Sequence, residues 1–345
     1  MKKRATIKNI ADSLSLSVST VSRILNGKGE FSEETKSSVL EVARILDYRA
    51  NTLAVSLRKN VPNKVVGVIL PQVNHYFFSS ILNGIMTTSH NQGYMVMIGE
   101  SLDQSNLEKD LINNFSDHFV AGIILAPSQD ERSTENINKM EREGIPNVII
   151  DRTYQSIKGS FVKHDDFKGA FEAVTHLIEN GFHRIGLLKG PDNCTISQAR
   201  LKGYQEAFKN KGIPMDSNLI ESAKHTVKDE GYLLFKKMYE QHQPQAVFTI
   251  TDMLASGVYA YAHEHNIRIP DELGVIGYSN SQLGKALQPR LTTVNQNGQE
   301  MGEVALSYLL EQIDMPSLKR QMTFDSELVV RDSCGSNTNE KALRI

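Results

Sequence analysis

The sequence predicts a two-part protein, an all-α head followed by an α/β body of two doubly wound parallel-sheet lobes. The 345 residues exceed the length of one ordinary domain. Residues 1–60 carry short helical stripes of apolar residues separated by turns. From residue 65 onwards, continuous apolar runs of strand length alternate with helical segments. That alternation is typical of parallel sheets covered on both faces.

The bulk composition is that of a soluble globular protein, with 40% hydrophobic and 23% charged residues. No apolar run approaches the roughly 20 residues that span a bilayer. The basic start of the chain is followed by Lys8 and Asp12 rather than by the apolar segment of a signal peptide. We therefore expect a cytoplasmic protein that does not associate with membranes.

Enzyme and metal signals are absent from the sequence. Cys194 and Cys334 lie far apart and in no metal-binding spacing, so we expect reduced thiols and no metal site. The run His263-Glu264-His265 resembles a ligand set, but adjacent positions do not share a helical face. No phosphate-binding, dinucleotide-binding or nucleophile motif is present, so we expect neither a catalytic activity nor a cofactor.

The net charge of −2 hides an asymmetry between the two parts of the chain. Residues 1–60 hold 11 Lys and Arg against 6 Asp and Glu, whereas the remaining 285 residues hold 27 against 34. A basic head on an acidic body indicates that the head meets a polyanion.

The head is predicted to contain three helices. Thr6 caps a helix over 7–14, and a three-residue turn leads to Ser17, which caps a second helix from 18 to about 26. Ser32 caps a third helix, whose buried stripe is expected to comprise Val39, Leu40, Ala43 and Leu46. Two short helices joined by a tight turn and braced by a third form a helix-turn-helix, although a plain three-helix bundle with a solvated serine-rich face would show the same spacing.

The second helix is the one that would enter the major groove of DNA. Its small hydroxyl side chains allow close approach and can bond phosphates. Arg23 can make a bidentate contact to guanine, and Val18 can touch a thymine methyl group.

Several segments closely resemble the head of the lactose-repressor (LacI/GalR) family. They are ATIKNIA at 5–11, STVSRILN at 19–26, EET at 33–35 and DYRAN at 47–51. The resemblance places Val18, Ser19 and Arg23 where family members read bases. The expected DNA contacts are Thr6, Ser17, Val18, Ser19, Thr20, Ser22, Arg23, Asn26 and Leu57.

Residues 51–58 resemble the family's hinge helix, which folds only on DNA. Leu57 occupies the position of the leucine that wedges into the minor groove, and such an apolar wedge opens a base step. A helix this short is marginal in isolation, so docking would be needed to order it. Alternatively, Leu57 is a linker residue that packs on the body. Many relatives carry a polar or basic residue where this chain has Val55, which affects the expected phosphate contacts.

Buried strands are predicted in the body at 65–70, 95–99, 122–126, 147–151, 184–189, 246–251 and 273–278, with a helix at 77–91 after the first. About ten such strands exceed one compact sheet, which favours two lobes with a cleft between them.

The body resembles the periplasmic sugar-binding-protein fold that forms the family's effector domain. The resemblance rests on GVI at 67–69, DDFKG at 165–169, ARLKGY at 199–204, VIGY at 275–278 and PRLTTV at 289–294. It implies a DNA-binding domain at 1–50, a hinge and linker at 51–61 and an effector domain at 62–345. Chain crossings are expected near 162, 290 and 322, giving one lobe at about 62–162 and 290–321 and the other at about 163–289 and 322–345.

Ligands in such sheets bind at the carboxyl ends of the strands. Arg200 matches the family arginine that bonds the effector, and its planar fork suits paired hydroxyls or a carboxylate. Alternatively, Arg200 makes a surface salt bridge, the acidic residues cap helices and the aromatic residues belong to the core. The expected effector-binding residues are Tyr76, Phe77, Asp165, Arg200, Thr251, Asp252 and Ser279.

Ser279 departs from the family pattern, since many relatives have an aspartate there that grips sugar hydroxyls. The substitution removes a negative charge while Arg200 remains, so we expect an acidic effector such as a sugar acid.

The favoured interpretation is a homodimeric transcriptional regulator, most simply a repressor, that binds a near-palindromic operator under the control of a sugar or sugar derivative. Two alternatives are a solute-binding protein of a transport system and an enzyme on the same scaffold. A solute-binding protein would leave the head unexplained, and no catalytic motif supports an enzyme.

Overall fold

The computed structural model describes residues 5–48, 63–118, 120–130, 132–153 and 158–335. The chain divides into two compact units, residues 1–63 and 64–345. The proposed hinge segment with Leu57 lies outside the described residues. Within the described part, no helix has the length and apolar character needed to cross a membrane.

The head contains the three predicted helices, α1 (Ile7–Leu14), α2 (Val18–Leu25) and α3 (Glu33–Ile45). Each begins at the expected cap, because the side chains of Thr6, Ser17 and Ser32 accept hydrogen bonds from backbone N–H groups three residues on. The core consists of Ile10, Val21 and Val39, all fully buried, with smaller contributions from neighbouring side chains. The geometry of a three-helix head is therefore confirmed.

The prediction that Leu40 is buried was wrong, since it is 57% exposed. Val39 and Ala43 point inward from α3, and Leu40 lies about 100° further round the helix. The two short helices α1 and α2 cover only the narrower stripe.

The first lobe of the body contains an all-parallel six-stranded sheet. Its strands are β1 (Val65–Leu70), β2 (Met95–Glu100), β3 (Gly122–Leu125), β4 (Asn147–Ile150), β5 (Ser160–His164) and β11 (Gln321–Phe324), in the spatial order β11-β5-β4-β3-β1-β2. The helices α4 (Tyr76–Asn91), α5 (Ser105–Asp117), α6 (Arg132–Arg142) and α12 (Gly298–Asp314) cover it. Strands β1, β3 and β4 are almost wholly buried, which explains their unbroken apolar sequences.

The second lobe contains a mixed six-stranded sheet. Its strands are β6 (Ile185–Lys189), β7 (Ile220–Ser222), β8 (Ala246–Thr249), β9 (Gly274–Tyr278), β10 (Thr292–Asn295) and β12 (Glu327–Val329), in the order β12-β10-β9-β8-β6-β7. Only β12 runs antiparallel to its neighbour. The helices of this lobe are α7 (Asp166–Glu179), α8 (Thr195–Asn210), α9 (Lys228–His242), α10 (Asp252–Glu264) and α11 (Gln282–Ala286), and a 3₁₀ turn spans Ser217–Leu219.

The chain crosses between the lobes three times, at 165, 296–297 and 325–326. The expected crossing near 290 was placed too early. Residues 292–295 form β10, which pairs with β9 of the second lobe through Thr292 and Ile276. The segment 290–295 therefore belongs to the second lobe, and the other two crossings lie about three residues after their predicted positions.

Two glycines fix the helix α4 against α12. A Cβ atom added to Gly84 would lie 2.0 Å from the backbone oxygen of Gln299, and one added to Gly302 would lie 2.1 Å from that of Ile81. The two helices therefore touch backbone to backbone, which holds the N-terminal end of α4 at the edge of the cleft.

Candidate functional site

The outer face of α2 presents a short polar surface. Val18 is 45% exposed, and Ser19 and Arg23 are also exposed, while Thr20 and Ser22 are half-buried. The Cζ atom of Arg23 lies 6.0 Å from the centroid of the Phe31 ring. This face can therefore meet a partner without rearrangement of the head.

Some of the predicted DNA contacts already have local roles in the head. Ser17 Oγ accepts from the backbone N–H of Thr20 at 3.0 Å, and Thr6 forms a capping box with Asn9. The side chain of Asn26 donates to the carbonyl of Ser22 at 2.6 Å. These residues fix the ends of α1 and α2, and all of them lie at the surface.

A cavity of about 480 Å³ lies between the two lobes of the body, at the carboxyl ends of the strands. The N-terminal ends of α4, α8, α10 and α11 face it. The first lobe contributes residues from 71 to 152, the second contributes residues from 190 to 283, and Gln296 of the second crossing completes the wall.

Arg200 on α8 lines the cavity. Its Nε and Nη2 atoms donate to Oδ1 of Asp166 at 2.9 and 2.7 Å, and Nη1 donates to the carbonyl of Ile250. Its Cζ atom stacks 3.5 Å from the centroid of the Tyr278 ring. The guanidinium is thus fixed within the cavity wall, and the structure gives it a buried partner rather than a surface salt bridge.

The aromatic and serine predictions also map to the cavity. Tyr76, Phe77, Thr251 and Ser279 all line it. The hydroxyl of Ser279 donates to Oε1 of Gln296 at 2.9 Å. The backbone at Ser279 has a φ of 122°, a region that L side chains rarely adopt and that glycine tolerates.

Asp165, one of the predicted effector-binding residues, is not among the residues that line the cavity. Its side chain accepts from the backbone N–H of Lys168 at 3.0 Å and caps α7. The next residue, Asp166, is the one that bonds Arg200. Asp165 is at the first crossing, and its side chain is bonded to the first turn of α7 instead of facing the cleft.

Asp252 lines the cavity, but both of its carboxylate oxygens are occupied. Thr293 donates to Oδ1 at 2.6 Å, and the backbone N–H and hydroxyl of Ser281 donate to Oδ2, both at 2.7 Å. Burial raises the pKa of Asp252, and these hydrogen bonds partly oppose that rise. The carboxylate therefore ties α10 to the loop before α11 as well as facing the cavity.

Asp151 and Arg152 are cavity residues that the sequence analysis missed. They follow β4 directly, and Arg152 Nη1 donates to Oδ1 of Asp103 and to the carbonyl of Pro127. Burial raises the pKa of Asp151 to about 7, although the charge of Arg152 opposes the rise. Their position at the carboxyl end of a buried strand was the available signal, since the same criterion selected Thr251 and Asp252.

His75 is a further residue of the cavity wall that the sequence analysis missed. Burial lowers its pKa to about 4, and the nearby charges of Arg200 and Arg152 add to the effect. His75 is therefore a neutral imidazole at pH 7. Among the described residues, no group of three or more His, Cys, Asp or Glu side chains is arranged to hold a metal ion.

Family models match both parts of the chain. One described as bacterial regulatory proteins of the lacI family matches residues 6–51, and one described as a periplasmic binding protein-like domain matches residues 174–334.

Solved structures resemble the whole chain or its body. The lac repressor dimer bound to operator and the anti-inducer ONPF has a TM-score of 0.85, with 21% identity, 97% of this chain and 100% of that chain covered. A LacI family transcriptional regulator from Enterococcus faecium with bound ribose has a TM-score of 0.69, with 26% identity, 78% of this chain and 98% of that chain covered.

A curated relative extends the likeness through the full sequence. The HTH-type transcriptional repressor CytR of Escherichia coli strain K12 is 30% identical over 333 residues, which cover 95% of this chain and 96% of CytR. With this similarity joining a helix-turn-helix head to a two-lobed body, the chain belongs to the lacI family of bacterial regulatory proteins.

Proposed function

We propose that this chain is a homodimeric transcriptional repressor whose affinity for operator DNA is controlled by a sugar or sugar derivative bound in the interlobe cavity. One observation carries the proposal: the same chain has a helix-turn-helix with an exposed polar recognition helix and a cavity walled by two lobes. A protein with this role acts in the cytoplasm, where operator DNA is found, and needs no catalytic residues.

In the proposed complex, α2 lies in the major groove. Val18, Ser19 and Arg23 contact base edges, and the neighbouring hydroxyl and amide groups bond phosphates and fix the helix. Leu57 is proposed to enter the minor groove at the centre of the operator.

The cavity is proposed to control the head through the relative position of the lobes. An effector that contacts Tyr76 and Phe77 of the first lobe and Arg200 of the second favours a closed arrangement, because only that arrangement brings both walls onto the ligand. The hydrogen bond from the Ser279 hydroxyl to Gln296 links the cavity wall to the second crossing. Lobe closure then changes the spacing of the two hinges in the dimer and the affinity for DNA.

Exposed apolar side chains support the proposed dimer. Met86, Met95 and Ile98 of the first lobe are 49%, 71% and 44% exposed, and β2 is an edge strand. Leu233 on α9 of the second lobe is 62% exposed. Burial of such side chains between two copies would remove apolar surface from water.

DNA binding can be tested by fluorescence anisotropy with labelled intergenic DNA that adjoins the gene. We expect saturable binding that weakens steeply as salt rises and exceeds binding to a scrambled duplex. Arg23→Gln should reduce the preference for the specific duplex, whereas Arg268→Gln, at an exposed site on the body, should leave it unchanged. If neither duplex binds at any salt concentration, the repressor proposal is wrong, and a solute-binding protein or an enzyme becomes the better reading.

A further inference from the structure

The guanidinium of Arg152 has unused hydrogen-bonding capacity in the interlobe cavity. Its side chain is 10% exposed. Nη1 donates hydrogen bonds to Asp103 and to the carbonyl of Pro127. The buried Nε atom has no hydrogen-bond acceptor among the described residues, since the nearest carboxylate oxygen, Oδ2 of Asp151, is 3.9 Å away. Nη2 likewise makes no hydrogen bond within the described part of the chain. Nε is fully enclosed, so Nη2, which is not, is the unbonded donor that a ligand in the cavity can reach.

The N-terminal end of α8 lies on the opposite lobe and faces the same space. Its N-cap is Cys194, which makes no side-chain cap hydrogen bond and lies within electrostatic reach of the Arg152 guanidinium. The backbone N–H groups of Thr195, Ile196 and Ser197 have no acceptor in the described residues. Cys194, Ile196 and Ser197 line the cavity. Unbonded N–H groups and the helix dipole make this end electropositive.

Three carboxylates near these donors already accept hydrogen bonds. Oδ1 of Asp103 accepts from Arg152 and from the backbone N–H of Gln129, while Thr293 and Ser281 occupy Asp252. Asp166 is bonded to Arg200. Asp151 also lies beside Arg152, but burial raises the pKa of its carboxyl to about 7, which reduces its negative charge at neutral pH, and it makes no hydrogen bond with Arg152.

We propose that the effector carries an anionic group, a carboxylate or a phosphate, which binds between the guanidinium of Arg152 and the N-terminal end of α8. The proposal rests on the proposed function of the cavity as the effector site. An oxyanion supplies several acceptor lone pairs at once and is bound by charge-assisted hydrogen bonds from both lobes. Because Arg152 belongs to the first lobe and α8 to the second, the same group would favour lobe closure.

The first test measures thermal unfolding and calorimetric binding of the full chain at constant ionic strength. The probes are inorganic phosphate and two matched pairs, glucuronate with glucose and ribose 5-phosphate with ribose. We expect phosphate and at least one of the two anionic sugars to raise the Tm. That anionic sugar should bind at least about tenfold more tightly than the neutral sugar of its pair. The first pair reports a carboxylate site, and the second reports a phosphate site.

Variants locate the anion. Arg152→Gln should abolish the response, and Arg152→Lys, which keeps the charge but loses the fork, should retain part of it. Cys194→Asp should raise the Tm without any additive, because it caps α8 and places a fixed carboxylate beside Arg152, and it should remove the response to phosphate. Cys194→Ser supplies a cap without charge and should keep that response.

Three results would overturn the proposal. They are the absence of any anion response in the wild-type protein, an equal response in wild type and Arg152→Gln, and binding of the neutral sugars as tight as that of their acids. Operator binding by the protein without additive is measured separately. Loss of the anion response with intact operator binding would refute this inference and leave the repressor proposal standing.

Discussion

One carboxylate oxygen of Asp166, Oδ1, accepts hydrogen bonds from both Nε and Nη2 of Arg200. The ring of Tyr278 covers one face of the guanidinium, and the carbonyl of Ile250 binds its remaining nitrogen. Arg200 is therefore oriented before any ligand arrives, which reduces the entropy lost on binding.

Asp166→Asn should destabilise the protein by about 3 kcal/mol or more, because it leaves a buried guanidinium without its counter-charge. Urea unfolding measures the change. Asp325→Asn is the matched control, since Asp325 pairs with Lys168 at the surface with its side chain 83% exposed, and it should cost less than about 1 kcal/mol. Equal unfolding midpoints for the two variants would contradict this account of Arg200.

Ser279→Ala and Ser279→Gly both remove the hydroxyl that donates to Gln296, so they separate the hydrogen bond from the backbone conformation. At a φ of 122°, glycine avoids the strain of a Cβ atom, and we expect the glycine variant to be more stable than the alanine variant by about 1 kcal/mol. Chemical denaturation of both proteins checks this difference. An alanine variant as stable as the glycine variant would show that position 279 is unstrained.

The stability of the protein should depend on pH through Asp151. Burial raises the pKa of this carboxyl to about 7, so the folded state favours its protonated form. The stability associated with this preference is fully present below the ordinary pKa of an aspartate, near 4, and is lost as the pH rises to about 7. Asp151→Asn should therefore gain in Tm relative to wild type between pH 5 and pH 8, measured in phosphate-free buffers.

Asp332 provides a control of opposite sign for the pH experiment. Its hydrogen bonds with Arg290 lower the pKa of its carboxyl, so its contribution is present at neutral pH and is lost as the pH falls. Asp332→Asn should therefore differ most from wild type at neutral pH. A constant difference between Asp151→Asn and wild type across the range would refute the assignment of the titration to Asp151.

Leu57→Ala should weaken specific operator binding by about tenfold or more if Leu57 acts as the minor-groove wedge, because an alanine is too short to open a base step. The body should unfold at the same temperature as in wild type. Leu40→Ala is the control, since Leu40 is an exposed leucine of the head outside the recognition helix. Unchanged operator affinity for Leu57→Ala would remove the wedge from the proposed complex.

The helices of the head could be predicted closely from sequence because local signals define them. Thr6, Ser17 and Ser32 cap helices at the expected positions, and the stripe through Val39 and Ala43 is buried. The exposure of Leu40 could not be predicted in this way, since the width of a buried stripe depends on how much surface the neighbouring helices cover.

The cavity was predicted less completely than the strands that position it. Thr251 and Arg200 were selected from the sequence, and both line the cavity. The adjacent residues Asp165 and Asp166 have different partners, since Asp165 caps α7 and Asp166 accepts from Arg200. Which of two adjacent carboxylates bonds Arg200 depends on the turn at the first crossing, and sequence spacing does not specify it. Asp151 and Arg152 follow a predicted strand and could have been selected by the criterion that found Thr251, but the contact with Asp103 that holds Arg152 in the cavity wall is distant in sequence.

The order of strands has a consequence for synthesis on the ribosome. β11 completes one edge of the first sheet and β12 one edge of the second, and both come from residues 321–329. Neither lobe can reach its final hydrogen-bonded form until this late segment has emerged. We expect a nascent chain stopped before Gln321 to expose β5 and β10 as open strand edges, so that incomplete copies would be prone to aggregate.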